Sequence, residues 1–251
     1  MPDRILKKPL HGGLLLLLML AASILLFSLT PIDSLLQDRL WDAAGRHWLV
    51  DRNDKLLRWL FYDGVKLLYI LLVLSCWAAL VGSLRRRSRL RRMRGRLLIV
   101  CMSLVLAPVS VGLLKAVTDL PCPRQLQRYG GELPHVSLLQ RLSGEAPALQ
   151  SKCYPAGHAS GGFALISLLF LFNSPAWRRR MLWLGLVTGW TIGGYKMAIG
   201  DHFLSHTWVS MLWVGLVILA LGGLFCSCRR QKLADFLGIG GASAQPVQGR
   251  L

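Results

Sequence analysis

The sequence predicts an all-α fold, a polytopic membrane protein built as a bundle of six transmembrane helices. Three observations lead there. Six apolar runs follow one another, each close to the twenty or so residues needed to cross about 30 Å of hydrocarbon. The 251-residue chain is 53% hydrophobic with a mean hydropathy of +0.46, too apolar for an ordinary soluble domain. Its 30 Lys and Arg against 12 Asp and Glu gather in the connections between alternate runs. A basic excess of this size fits a nucleic-acid binder or a membrane protein with basic inner loops. The length of the runs decides for the bilayer as partner, with no nucleic acid.

The first eleven residues are basic, through Arg4, Lys7 and Lys8. Leu10 to Leu29 is the first run. Read as a cleaved signal peptide it is long, and no small-x-small site precedes Thr30-Pro31, so a retained helix is expected. Between Pro31 and Asp63 the spacing of Leu35, Leu36, Leu40 and Trp41 predicts a short amphipathic helix at the outer surface. Trp41, Trp48 and Trp59 fit an interfacial belt, or a path by which substrate reaches the site.

Val65 to Leu84 is the second run. It ends in a segment, 85–96, with eight arginines in twelve residues. Such a cluster marks the inner face of a membrane protein, and it also has the composition that binds anionic lipid or nucleic acid. Leu97 to Leu114 is the third run and closes at Lys115. A polar connection, 116–155, leads to the fourth run, Gly157 to Phe172. A basic turn with Arg178, Arg179 and Arg180 follows. Met181 to Ile199 and Phe203 to Cys226 are the fifth and sixth runs. One membrane domain therefore covers 1–237, with its distinctive polar residues within 97–215. The small-residue stretch 238–251 reads as a disordered tail.

Charge placement sets the orientation. With both termini inside, the inner segments 1–11, 85–96, 173–180 and 229–251 hold three, eight, three and four Lys or Arg. The positive-inside rule expects this of short cytoplasmic loops. The remaining polar features then face outward, to the periplasm in the inner membrane of a Gram-negative bacterium. They are Lys115, Arg124, the block Cys153-Tyr-Pro-Ala-Gly-His-Ala-Ser160, Lys196, and the block Gly200-Asp-His-Phe-Leu-Ser-His206. Gly157 and His158 open a helix, and a helix N-terminus attracts anions. Lys196 lies at membrane depth, where an ammonium either serves a site or snorkels to the headgroups. His202 and His206 are one helical turn apart on one face.

This order of residues resembles the three signature motifs of the type-2 phosphatidic acid phosphatase and haloperoxidase superfamily, in its integral-membrane lipid phosphatase branch. The resemblance covers roughly 97–215, and Tyr154-Pro-Ala-Gly-His-Ala-Ser160 is its most specific part. It implies a phosphatase that needs no cofactor or metal. His202 would attack phosphorus and become a phosphohistidine, and His158 would protonate the leaving oxygen. Lys115 would bind phosphate, with Arg124, Gly157 and Lys196 beside it. The departures fall at four places. Cys122-Pro123 followed by Arg124 stands where the family has Arg-Pro. Ala156 replaces a serine, Tyr195-Lys196 replaces Ser-Arg, and His206 stands where an aspartate would orient the nucleophile. Neutral His206 can take over that hydrogen bond, as can Asp119 or Asp201, the latter only if the chain breaks at Gly200. The resemblance implies a lipid-linked phosphate or diphosphate as substrate, such as a lipid A phosphate, undecaprenyl diphosphate, phosphatidic acid or phosphatidylglycerol phosphate. The same site can pass a phosphoryl group to another lipid.

Two other readings stay open on the residues alone. His202-x3-His206 has a zinc spacing, with His158 as a third ligand, although no glutamate lies between the pair and the lysines repel a cation. A catalytically inactive membrane interaction protein is the other. Cys122 and Cys153 flank the outer connection. An oxidising compartment favours their pairing, which would tether the first motif to the second, over two free thiols.

Overall fold

The structure, a computed structural model, describes residues 3–85, 89–145, 149 and 151–236, the side chains of 3–10, 89 and 226–236 excepted. Arginines 86–87 of the basic segment and the 238–251 tail lie outside these described residues.

Among the described residues four helices are long and apolar enough to cross a membrane. They occupy His11–Leu29, Lys55–Gly82, Leu90–Gln125 and Leu204–Phe225. The first lies within α1 (Asp3–Leu29). The second combines a short α3 (Lys55–Arg58), a π-helical turn (Trp59–Asp63) and α4 (Gly64–Gly82). Asp54 caps α3 by accepting from the Leu57 amide. The third is centred on α5 (Arg94–Thr118), and the fourth opens α9 (Leu204–Phe236).

The remaining two runs are less regular. The fourth begins as α7 (Gly157–Ala164) and tightens into a 3-10 helix over Leu165–Leu171. The tighter winding rises further per residue, which lengthens a short run. The fifth becomes α8 (Pro175–Ala198), 24 residues long. Its first turns carry Arg178, Arg179 and Arg180, and glycines stand at 185, 189, 193 and 194, so it is less apolar than the other long helices.

The core lies between α4, α5, α7 and α9. Val100, Cys101, Ala107, Val111, Ala159, Phe163 and Val214 are fully buried there. Helices α7 and α8 approach closely because both offer glycine. A Cβ at Gly162 would sit 2.6 Å from the Gly189 Cα. Polar pairs join other helices: Trp208 Nε1 donates to Ser23 Oγ and Trp213 Nε1 to Ser110 Oγ, each at 2.9 Å. Outside this core, Leu14, Leu15, Leu67, Leu68 and Leu74 are all more than half exposed. Side chains of this kind belong against lipid tails rather than water.

The outer segment differs from expectation. The short helix α2 (Ile32–Asp38) buries its polar residues, Asp33 and Gln37, and exposes Leu35. Its hydrogen bonds explain the inversion. Gln37 Nε2 donates to the Met197 carbonyl at 2.9 Å, and Asp33 Oδ1 accepts from the Ser205 amide at 2.9 Å. The helix thus satisfies free backbone groups at the end of α8 and the start of α9. Trp41 is not helical. It lies in a two-residue strand, β1 (Trp41–Asp42), paired with β2 (His47–Trp48), the only sheet among the described residues of an otherwise α-helical chain. Trp41 and Trp48 pack with Tyr129, ring centres 4.9 to 6.2 Å apart, and so build an outer cap. Trp59, 62% exposed, keeps the character of an interfacial anchor.

Candidate active site

The cap, the end of α5, the start of α7 and the α8–α9 turn meet at one end of the bundle. Three tethers bring them together. Cys122 and Cys153 form a disulfide, with Cα atoms 5.3 Å apart. The Ala156 amide donates to the His206 carbonyl at 2.9 Å, and the Ala156 carbonyl accepts from Ser210 Oγ at 2.9 Å. These last two bonds stitch the start of α7 to the start of α9. The Arg124 amide donates to the Gly200 carbonyl at 3.0 Å, which joins the first motif to the third.

Gly200 makes the turn between α8 and α9. Its φ is +73°, and Trp48 lies where a Cβ would go. Only glycine satisfies both conditions without strain. The turn is closed by the Asp201 and His202 amides, which donate to the Lys196 carbonyl at 2.8 and 3.2 Å.

His158 and His202 face each other across a cavity of about 310 Å³, with ring centres 6.1 Å apart. His158 is exposed to this cavity, and Tyr62 meets its ring edge-on at 5.0 Å. His202 is 3% exposed. Its Nδ1 lies 3.4 Å from Nδ1 of His206, and its Nε2 has no partner among the described residues. His206 also hydrogen-bonds the backbone of Cys153. Burial, then the neighbouring His206 and Lys115, hold the His202 imidazole well below the usual histidine range, so it is neutral near pH 7.

The cations gather round these rings. Lys115 lies alongside Gly157 at the N-terminus of α7, where a Cβ on that glycine would be 3.5 Å from its Nζ. Lys196 is 7% exposed and donates to Asp201 Oδ2 at 3.0 Å. Arg124 pairs with the other oxygen of Asp201, also at 3.0 Å. Lys196 Nζ also stands 4.6 Å over the Tyr62 ring, so it points into the site and does not snorkel.

Every residue expected at the site is therefore at this end of the bundle, and all but Gly157 and His206 line the cavity or close its disulfide. Those two contact its lining directly. Asp201 and Asp119 are not the partners of His202. Asp201 is held between Lys196 and Arg124, and Asp119 accepts from the Leu149 and Ser151 amides and pairs with Arg141. Arg52, Arg58, Tyr62 and Lys152 also line the cavity and were not expected there. Arg58 and Tyr62 are four apart, a spacing that puts them on one helical face. Nothing in the sequence joins that face to the distant motifs.

Behind His206 lies a smaller cavity lined by Asp33, His135 and Tyr154. Burial raises the Asp33 carboxyl to about 6, partly offset by its Ser205 hydrogen bonds. Burial, then the charge of Arg128, lowers His135. Among the described residues no group of three or more His, Cys, Asp or Glu is arranged to hold a metal ion.

Comparison with curated proteins and with solved structures gives no match. The family model described as the PAP2 superfamily matches residues 96–226, just over half of the chain and the whole stretch from the start of α5 to the apolar part of α9. Members of this superfamily are phosphatases acting on phosphate esters, which accords with paired histidines in a cation-lined cavity. The chain belongs to the PAP2 superfamily of type-2 phosphatidic acid phosphatases.

Proposed function

We propose that this protein is a membrane phosphatase that hydrolyses a lipid-linked phosphate through a phosphohistidine on His202, at the outer face of a bacterial inner membrane. The observation that carries this reading is the 6.1 Å spacing of His158 and His202 across one cavity. A phosphorus atom between them can be attacked from one side while its leaving oxygen is protonated from the other.

The steps follow from the contacts. His206 donates its Nε2 proton to the Cys153 carbonyl, which leaves its Nδ1 as an acceptor for the Nδ1 proton of His202. Nε2 of His202 then holds a lone pair that no group among the described residues engages. It forms a bond to phosphorus as the bond to the lipid oxygen breaks, and His158 gives that oxygen a proton. Lys115, Arg124, Lys196 and the amides at the start of α7 stabilise the equatorial oxygens. Water, deprotonated by His158, cleaves the phosphohistidine and releases phosphate, with the second histidine proton restored. No metal enters these steps. The same phosphohistidine passes its phosphoryl group to a lipid hydroxyl or phosphate if one occupies the place of water.

Six crossings, with 1–237 as one domain and both termini cytoplasmic, put this site at the level of outer-leaflet headgroups. On α8, Arg178 and Lys196 are separated by 18 positions, about 27 Å along a helix. The basic cluster and the site are thus at opposite ends of the same helix, as the positive-inside rule requires.

Phosphate release from a panel of lipid phosphates by the purified full-length protein tests this. In chelator, the wild-type protein turns over and His202→Ala is slower by at least about 10³-fold. A turnover that needs added metal contradicts the mechanism. A wild-type protein inert on every lipid supports the interaction-protein reading instead.

A further inference from the structure

The cavity holds more positive charge than one phosphate needs. Lys115, Arg124 and Lys196 surround the histidines, and Asp201 already neutralises part of the last two. Arg52, Arg58 and Lys152 line the rest of the same cavity. All three are exposed at its mouth, where they meet whatever enters. Among the described residues no carboxylate pairs with Arg52 or Lys152. Asp63 takes only Nε of Arg58, at 3.2 Å, which leaves the two terminal nitrogens of its fork.

The backbone that carries these cations is fastened. The loop before α3 is fastened to the end of α8, because the Val50 amide donates to the Ala198 carbonyl at 3.3 Å. Within that loop the Asn53 amide donates to Asp51 at 2.8 Å, and Asp54 caps α3 four residues before Arg58. Lys152 lies between Ser151, whose amide donates to Asp119, and Cys153 of the disulfide. A cation cluster on fixed backbone, at the rim of a cavity of about 310 Å³, is arranged to bind an anion.

We propose that Arg52, Arg58 and Lys152 form a second anion subsite, and that it takes a phosphate joined through a shared oxygen to the phosphate at the histidines. This rests on the phosphatase reading and narrows its substrate to a lipid diphosphate. The inner cations and His202 hold the terminal phosphate that is transferred. The outer cations hold the phosphate that leaves with the lipid, and His158 gives its proton to the bridging oxygen. Both phosphates share one cavity, so the outer cations neutralise charge on the leaving group as the bond breaks.

Binding of inorganic phosphate and inorganic pyrophosphate to the full-length protein in detergent tests this without requiring turnover. Calorimetry is expected to show pyrophosphate binding at least about tenfold more tightly, as one or two charged hydrogen bonds provide. Arg52→Ala/Lys152→Ala should erase most of that ratio, and Arg52→Lys/Lys152→Arg should restore it. Equal affinity for the two anions, or a pyrophosphate advantage that survives the alanine pair, overturns the subsite. If pyrophosphate is preferred and lost as described but no lipid diphosphate is hydrolysed, the subsite stands and the enzymatic reading falls.

Discussion

His206 stands where related phosphatases are expected to carry a carboxylate, and its surroundings show how an imidazole can fill that place. A carboxylate accepts a proton from the nucleophilic histidine and needs no donor of its own. An imidazole must be told which nitrogen to leave bare. The hydrogen bond to the Cys153 backbone does this, because a carbonyl can only accept. The disulfide to Cys122 anchors that stretch of backbone, so in the proposed mechanism the outer connection selects the tautomer of a histidine on α9. His206→Ala should therefore lower kcat on the order of 10²-fold with little change in KM. His206→Gln, which keeps an amide acceptor, should recover part of the loss. A variant in which KM alone rises would make His206 a binding group, contrary to the positioning role. The histidines and lysines were legible in the sequence because their spacing is local and their order fixed. The true neighbour of Asp201 was not, since it depends on where a glycine turn aims a carboxylate.

At the scale of elements, α2 shows how a membrane protein can invert the usual pattern. Leucines at 35, 36 and 40 read as the buried stripe of an amphipathic helix, but beside a bilayer the apolar side can turn outward. The buried side instead meets the free backbone groups of α8 and α9, which need polar partners. That requirement comes from the ends of distant helices, so no local periodicity reveals it. The cost falls on Asp33, whose carboxyl burial raises to about 6 from an ordinary value near 3.8. The folded protein then binds this proton more tightly than the unfolded chain does. Stability from this group is full below about pH 3.8 and is lost as pH rises through about 6. Asp33→Asn keeps an oxygen for the Ser205 amide and removes the charge. Thermal unfolding in detergent should show the variant and the wild type alike near pH 4, and the variant more stable above pH 6 by about 2–3 kcal/mol. A variant destabilised at pH 8 would mean that the ionised carboxylate earns its place through the hydrogen bond.

For the whole molecule, the arrangement of charge couples topology to chemistry. Basic clusters occupy the starts of α5 and α8, while Lys115 and Lys196 occupy their ends. Among the described residues no carboxylate pairs with the first set, and the proposed orientation turns it to the compartment where positive loops are retained. The second set needs a partner from the opposite side, and the outer cap of Trp41, Trp48 and Tyr129 covers that end only. The helical bundle and the split of charge between its two ends were readable from run length and composition, both of which are sums over many residues. The cap was not, because its aromatic cluster depends on contacts between segments more than eighty residues apart. In the proposed orientation the two ends meet different solvents. Gln127 is exposed on the cap side and Ala176 at the start of α8. Gln127→Cys should react with a membrane-impermeant maleimide on intact bacterial spheroplasts, and Ala176→Cys only after permeabilisation. Cys76 and Cys101 are buried and should contribute little background, and Cys226→Ser and Cys228→Ser are made in both variants. Reaction of Ala176→Cys in intact spheroplasts, with Gln127→Cys silent, would put the histidines on the cytoplasmic side and require a substrate from the inner leaflet.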